Sequence, residues 1–148
     1  MKTKLMKNQQ TGAAAIEFAL VASVFFVQLI GIMEMGRVMF YWNTATELTR
    51  MGARMAVVCD PGDASLVQNK IANFYPLIPQ DKVQVDYLPN GCTVDNCQDV
   101  TVRVSAGVPV VTMIPFIPLN LSLPEFKTTL PRESLRSQVN SVNNPVCE

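Results

Sequence analysis

Apolar side chains crowd the early part of the chain and become patterned later. From Ala13 to Met33 the sequence reads AAAIEFALVASVFFVQLIGIM, 21 residues with one charge, Glu17. A helix rises 1.5 Å per residue and needs about 20 apolar residues to cross a bilayer, so this run predicts a membrane-spanning helix. A cleaved secretory signal would carry its small-residue site after the apolar region. Here Glu34-Met35-Gly36-Arg37 follows instead, and Ala13-Ala14-Ala15 sits on the wrong side. A buried core helix is the other competitor, but the chain beyond is too small to enclose so long an apolar run.

Residues 34–58 change pattern without changing the predicted element. Tyr41, Ala45, Leu48, Gly52, Met55 and Cys59 recur at helical spacing on one face, and Asn43, Glu47, Arg50 and Arg54 on another. This is an amphipathic helix with a stripe for a core and a stripe for water. The polar stripe reads as a solvated face or as a contact with neighbouring subunits, and Glu47 and Arg50 are spaced to pair. All ten prolines lie after residue 60, so nothing breaks a helix before it. One helix from 13 to 58 would be roughly 70 Å long.

Asp60-Pro61-Gly62-Asp63 predicts a turn, with Asp63 as the cap of a short helix from Ala64 to about Phe74. Its expected apolar side is Leu66, Val67, Ile71 and Phe74. The period then falls to two. Val83, Val85 and Tyr87, then Val100, Val102 and Val104, alternate with polar residues, which predicts two antiparallel strands with one wet face. Pro89-Asn90-Gly91 begins their connection, and Gly107 with Pro109 marks a bulge or the end of the second strand. Residues 121–136 add one or two further strands, with Pro124 and Pro131 suiting an edge. Val108 to Leu119, VPVVTMIPFIPL, is too short and Pro-rich for a membrane helix. It is either a loop folded over the core or an exposed partner contact, with Ile114 and Phe116 as the contact candidates.

Composition narrows the chemistry. The chain has 148 residues, 12 basic and 12 acidic side chains, 49% hydrophobic and 16% charged residues, and no histidine. It is too apolar for a disordered chain and has no basic patch for nucleic acid. Without histidine there is no Ser-His-Asp or Cys-His catalysis and no His-containing metal site. No phosphate loop, nucleotide fingerprint or nucleophile elbow appears, so no enzyme, metal or cofactor is expected. Lys2, Lys4 and Lys7 leave the first 12 residues basic, and the 9 remaining basic side chains face all 12 acids beyond them. That asymmetry keeps the N-terminus cytoplasmic and sends the rest across.

Glu17 is the informative exception in the apolar run. A carboxylate there costs about 2.5–3.5 kcal/mol on insertion scales, so it either reaches water near the interface or has a partner. No Lys or Arg lies between Lys7 and Arg37, so a cation at its depth must come from the N-terminus or another molecule.

The segment Thr11-Gly12-Ala13-Ala14-Ala15-Ile16-Glu17-Phe18-Ala19-Leu20 resembles the N-terminal motif of TadE-like proteins: a short basic leader, a glycine, small residues, then Glu, an aromatic and a hydrophobic helix. These are minor pilins, or pseudopilins, of Tad (Flp, tight adherence) pili in the type IV pilus superfamily. Met35-Gly36-Arg37, Ala53-Arg54-Met55-Ala56 and Glu133-Ser134-Leu135-Arg136 also resemble the family. The resemblance implies an α+β, type IV pilin-like fold: a long N-terminal helix, membrane-spanning in its first half, packed on a small antiparallel sheet. It implies cleavage by a prepilin peptidase between Gly12 and Ala13, and an assembly role for Glu17 and Phe18. Glu17 would neutralise the new Ala13 ammonium of a neighbouring subunit. The implied partners are the inner membrane, the peptidase, other Tad pilins and the pilus assembly platform.

The chain accordingly divides into a leader at 1–12, a transmembrane helix at 13–33, its periplasmic continuation at 34–58, and a small α+β head at 59–148. The implied location is the bacterial inner membrane, single-pass, with the C-terminal part periplasmic and a place in a cell-surface pilus. All four cysteines lie in that disulfide-permitting compartment. Three connectivities are open. The favoured one pairs Cys92 with Cys97 across a short loop and Cys59 with Cys147; a four-thiolate zinc site competes, although only one near cysteine pair exists. The alternative function is a membrane-anchored periplasmic binding or scaffold domain that never joins a fibre and needs neither Gly12 nor Glu17.

Overall fold

A computed structural model describes the backbone of residues 3–113 and 120–147, with side chains from residue 12 onward in those ranges. Helix α1 spans Thr3–Ala56 and α2 spans Ala64–Phe74. The strands are β1 (Val83–Leu88), β2 (Asp99–Val104), β3 (Val108–Val110), β4 (Leu121–Leu123), β5 (Phe126–Pro131), β6 (Gln138–Val139) and β7 (Val142–Asn143). The chain is α+β, a long N-terminal apolar helix followed by a small antiparallel sheet region. It forms two compact units: residues 1–37 with 112–118, and residues 38–111 with 119–148.

In the larger unit the core lies between the C-terminal part of α1 and a three-stranded antiparallel sheet of order β1-β2-β5. Val83, Val85 and Tyr87 stand opposite Val104, Val102 and Val100, and all six are buried. The same face continues onto β5 through Phe126, Thr128 and Leu130. The other face is wet. There Thr101 and Thr129 share a 2.8 Å hydrogen bond, and Arg103 Nε lies 3.1 Å from Asp86 Oδ2. Pro131 ends β5 on the sheet's edge, where its missing N–H costs nothing. Val108 and Val110 are buried as β3, which pairs with β4 in a separate ribbon, and so extend the core where a strand end or loop was expected.

The expected stripe of α1, Tyr41, Ala45, Leu48, Gly52 and Met55, is buried, as is Cys59 beyond the helix end; Asn43, Glu47, Arg50 and Arg54 are exposed. Gly52 is favoured by packing. A Cβ there would lie 2.7 Å from Ile71 Cδ1 and 3.1 Å from Val102 Cγ1. The helix therefore approaches both α2 and β2 over this residue. Thr49, also buried, donates to the Thr46 carbonyl and accepts from Thr128 Oγ1 at 2.9 Å, satisfying its hydroxyl in the apolar layer.

Several local expectations are corrected. α1 ends at Ala56 rather than at residue 58, and beyond it the Val57 and Val58 carbonyls accept from distant donors. The N–H groups of Glu133 and Leu135 reach the Val57 oxygen at 3.1 and 3.3 Å, and that of Arg136 reaches the Val58 oxygen at 2.9 Å. Asp63 holds the N-cap position of α2 as expected but makes no side-chain cap hydrogen bond; the preceding 3-10 turn, Pro61–Asp63, is capped by Asp60, whose Oδ1 accepts from the Gly62 N–H at 2.8 Å. Of the apolar residues of α2 only Val67 and Ile71, one turn apart, are buried. Leu66 lies about 100° round the helix from Val67, and Phe74 occupies the final position; both are exposed. Glu47 and Arg50 form no ion pair: both project into water, where such a bridge contributes little.

Two disulfides close the larger unit, Cys59–Cys147 and Cys92–Cys97. The first ties the end of the chain to the end of α1. Nearby, the Asp60 N–H donates to Ser137 Oγ, and Lys70 Nζ donates to the Pro145 and Val146 carbonyls.

Candidate functional site

The site pointed to by the sequence lies in the N-terminal part of α1. Among the described residues one helical stretch, Gly12–Ala56, is long and apolar enough to cross a membrane, and its most apolar window is entirely unburied. Phe18 is 75% exposed, and Ile16, Leu20, Val24, Phe25 and Phe26 are exposed with it. So many bare apolar side chains in succession have no counterpart in a water-soluble surface. They fit single-pass membrane anchoring.

Gly12, Ala13, Glu17 and Phe18 all fall on this helix, and all are exposed. A Cβ at Gly12 would meet nothing within 4 Å. Packing therefore gives no reason for the glycine, which costs about 1 kcal/mol against alanine inside a helix. Among the described residues no side chain partners the Glu17 carboxylate. One turn separates Ala13 from Glu17, so a charge at either position acts on the same stretch of helix.

The second sequence-derived candidate, Ile114 with Phe116, lies outside the described residues. The segment leading into it is informative. Val111 and Met113 are exposed, and the Met113 N–H donates to Glu34 Oε1 at 2.7 Å. Glu34 Oε2 is buried and has no hydrogen-bond partner among the described residues. Sequence reasoning missed this contact; the available signal was a carboxylate placed directly after the last residue of the apolar run.

The larger unit carries an open, mostly apolar groove of about 470 Å³, lined by Phe40, Asn43, Thr44, Glu47 and residues 74–77. Phe74, read from sequence as core, forms part of its wall. Among the described residues no cluster of three or more Cys, Asp or Glu side chains could hold a metal ion, and all four cysteines are spent in disulfides. One titration is strongly perturbed. Burial, then the negative charges of Asp60 and Asp63, push the Tyr87 hydroxyl up to about 12, while its oxygen lies 3.3 Å from the Ala56 carbonyl it donates to. That hydrogen bond supports the end of α1 and is structural.

Glu133-Ser134-Leu135-Arg136 has a clear structural role. Its backbone caps the end of α1, Ser134 Oγ donates to the Val58 carbonyl at 3.2 Å, and Leu135 is fully buried. Leu135 adopts φ 48°, a left-handed conformation that costs a branched side chain energy and that its burial offsets.

No curated protein and no solved structure matches the chain. Residues 12–54, which include Gly12, Glu17, Phe18 and the apolar stripe as far as Gly52, match the family model of TadE-like protein.

Proposed function

We propose that the protein is a minor pilin, or pseudopilin, of a Tad-type type IV pilus, which supports pilus biogenesis in adhesion or secretion. A prepilin peptidase cuts after Gly12 on the cytoplasmic side. The helix stays in the inner membrane, and the disulfide-bonded head lies in the periplasm. The chain is a substrate of that peptidase and not an enzyme; its further partners are other Tad pilins and the assembly platform. The observation that carries this reading is Glu17, a lone carboxylate on an exposed apolar helix inside the segment that matches the family.

The chemistry is self-consistent. Gly12 weakens the helix at the bond to be cut, and nothing packs against it to hinder access. Cleavage creates an ammonium at Ala13, with an ordinary pKa of about 7.7–8.0. That cation and the positive end of the helix both favour a nearby carboxylate. In an assembled fibre the Glu17 of one subunit meets the Ala13 ammonium of the next, which offsets the cost of burying either charge.

Intact mass of the protein from native membranes, with and without reduction, tests processing. A chain beginning at Ala13 is expected; one still beginning at Met1 in cells with active peptidase refutes it. Glu17→Ala and Glu17→Gln should both insert and be cleaved yet fail to enter the pilus, because the interaction requires charge. Normal incorporation of either variant sinks the assembly role. The apolar groove favours a second reading, a membrane-anchored binding domain that remains outside the fibre; such a protein would tolerate both substitutions.

A further inference from the structure

We propose that the Glu34–Met113 hydrogen bond holds the chain at the outer boundary of the membrane-spanning run, so that the Met113 side chain enters the headgroup–acyl boundary of the lipid bilayer. The proposal rests on the reading of residues 13–33 as membrane-spanning.

Position is the first argument. The apolar run ends at Met33, and Glu34 is the next residue. Its Oε1 accepts from the Met113 N–H at 2.7 Å, which fixes a residue 79 positions away in sequence beside that boundary. Thr112 and Met113 belong to the same compact unit as the helix up to Arg37. The donor is a backbone N–H, so the contact sets the placement of the main chain at Met113 and leaves its side chain to the surroundings.

Exposure and charge are the second. Met113 is 74% exposed, and Ile32 and Met33, just before Glu34 on the helix, are exposed to a similar degree. No charged residue lies between Arg103 and Glu125. An acidic or basic protein partner would find nothing to pair with in this stretch, whereas lipid asks only for apolar surface. The flexible thioether of methionine adapts to a disordered medium at little cost. Continuity with the adjoining apolar helix makes the bilayer the occupant of this surface.

Bromolipid quenching of the full chain in phosphatidylcholine–phosphatidylglycerol vesicles tests the inference. Trp42 is the sole tryptophan, so Trp42→Phe gives a silent background for Met113→Trp and, separately, Val24→Trp. With acyl-brominated lipid, emission from position 113 should fall roughly twofold and be blue-shifted, as expected of an interfacial indole. Adding Glu34→Ala should shift that emission red and relieve the quenching, whereas Glu34→Gln, which still accepts a hydrogen bond, should preserve it. Position 24 reports the span. If 24 is quenched and 113 is not, the span stands and the proposal fails, whether acrylamide reaches position 113 (water) or does not (a protein contact). If neither is quenched, the spanning reading and the proposal fall together. Quenching at 113 that Glu34→Ala leaves unchanged overturns the role of the hydrogen bond.

Discussion

Removing the Cys59–Cys147 bond should cost far more stability than removing Cys92–Cys97, although each is one disulfide in the same unit. A cross-link acts chiefly by limiting the unfolded chain, and its effect grows with the logarithm of the loop closed. The bonds span sequence separations of 88 and 5. With the chain-entropy expression at 25 °C, these separations give about 4.6 and about 2.1 kcal/mol respectively. The difference, about 2.5 kcal/mol, is a large share of a small domain's total stability. The perturbation is the paired replacement, Cys59→Ala with Cys147→Ala, against Cys92→Ala with Cys97→Ala, which leaves no odd thiol to mispair. Cys59 and Cys147 are both buried whereas Cys92 is half-buried beside the buried Cys97, so lost sulfur packing adds to the larger loss expected for the 59–147 pair. The assay is urea unfolding of the full chain in detergent, followed by near-ultraviolet circular dichroism of the head's aromatic residues. Equal losses, or a larger loss for the 92–97 pair, would refute the claim that the long closure governs the stability of the head.

Two other predictions follow from individual side chains. Gly52→Ala gains about 1 kcal/mol of helix propensity but overpacks Ile71 and Val102 at about 1–3 kcal/mol, and Gly52→Val overpacks further; urea midpoints should fall in that order, and an unshifted Gly52→Val would show that the helix is not seated on these residues. The Tyr87 hydroxyl is pushed up to about 12 in the folded state from an ordinary 10.0, so its contribution is complete below pH 10 and is lost as pH rises through the folded value. Unfolding free energy should therefore drop by about 2–3 kcal/mol between pH 10 and 12, and Tyr87→Phe should abolish that drop; a variant with the same alkaline loss would place its cause elsewhere.

Legibility in the sequence followed the range of the interactions. The α1 stripe from Tyr41 to Met55 and the alternating valines of β1 and β2 were readable, because period and burial are local properties of helix and strand. The paired β5 was anticipated only as one or two further strands, since Pro131 marks an edge without naming its neighbour. The β6–β7 hairpin was not legible: its strands are two residues each, with no alternation to detect. The cap position Asp63 of α2 was legible, but the absence of its side-chain bond was not, because only backbone geometry decides which donor a cap reaches. In the candidate site, Glu17 was legible as a chemical anomaly, a carboxylate where none is cheap, whereas Gly12 was legible only through the family resemblance. The bond from Met113 to Glu34 was not, because a backbone N–H has no sequence signature.

The end of α1 explains why the TadE-like match and the folded unit have different extents. The match ends at Arg54, two residues before the helix does. Beyond Ala56 the Val57 and Val58 carbonyls have no helical donor and lie in a buried or half-buried environment, where an unpaired polar group costs about 1–3 kcal/mol. Glycine in a left-handed conformation usually solves this locally. Here the chain continues Val58-Cys59-Asp60, and the donors come from residues 133–136 instead. The C-terminal segment is thus the cap of the N-terminal helix, with Leu135 filling the core beneath it and Cys147 bonded to Cys59 beside it. A chain cut before Glu133 would keep the matched helix and all three strands of the main sheet, yet leave the helix end open to water and the core without Leu135. The segment recognised as TadE-like therefore supplies only half of its own C-terminal boundary, and the other half is made by residues that the family model does not reach.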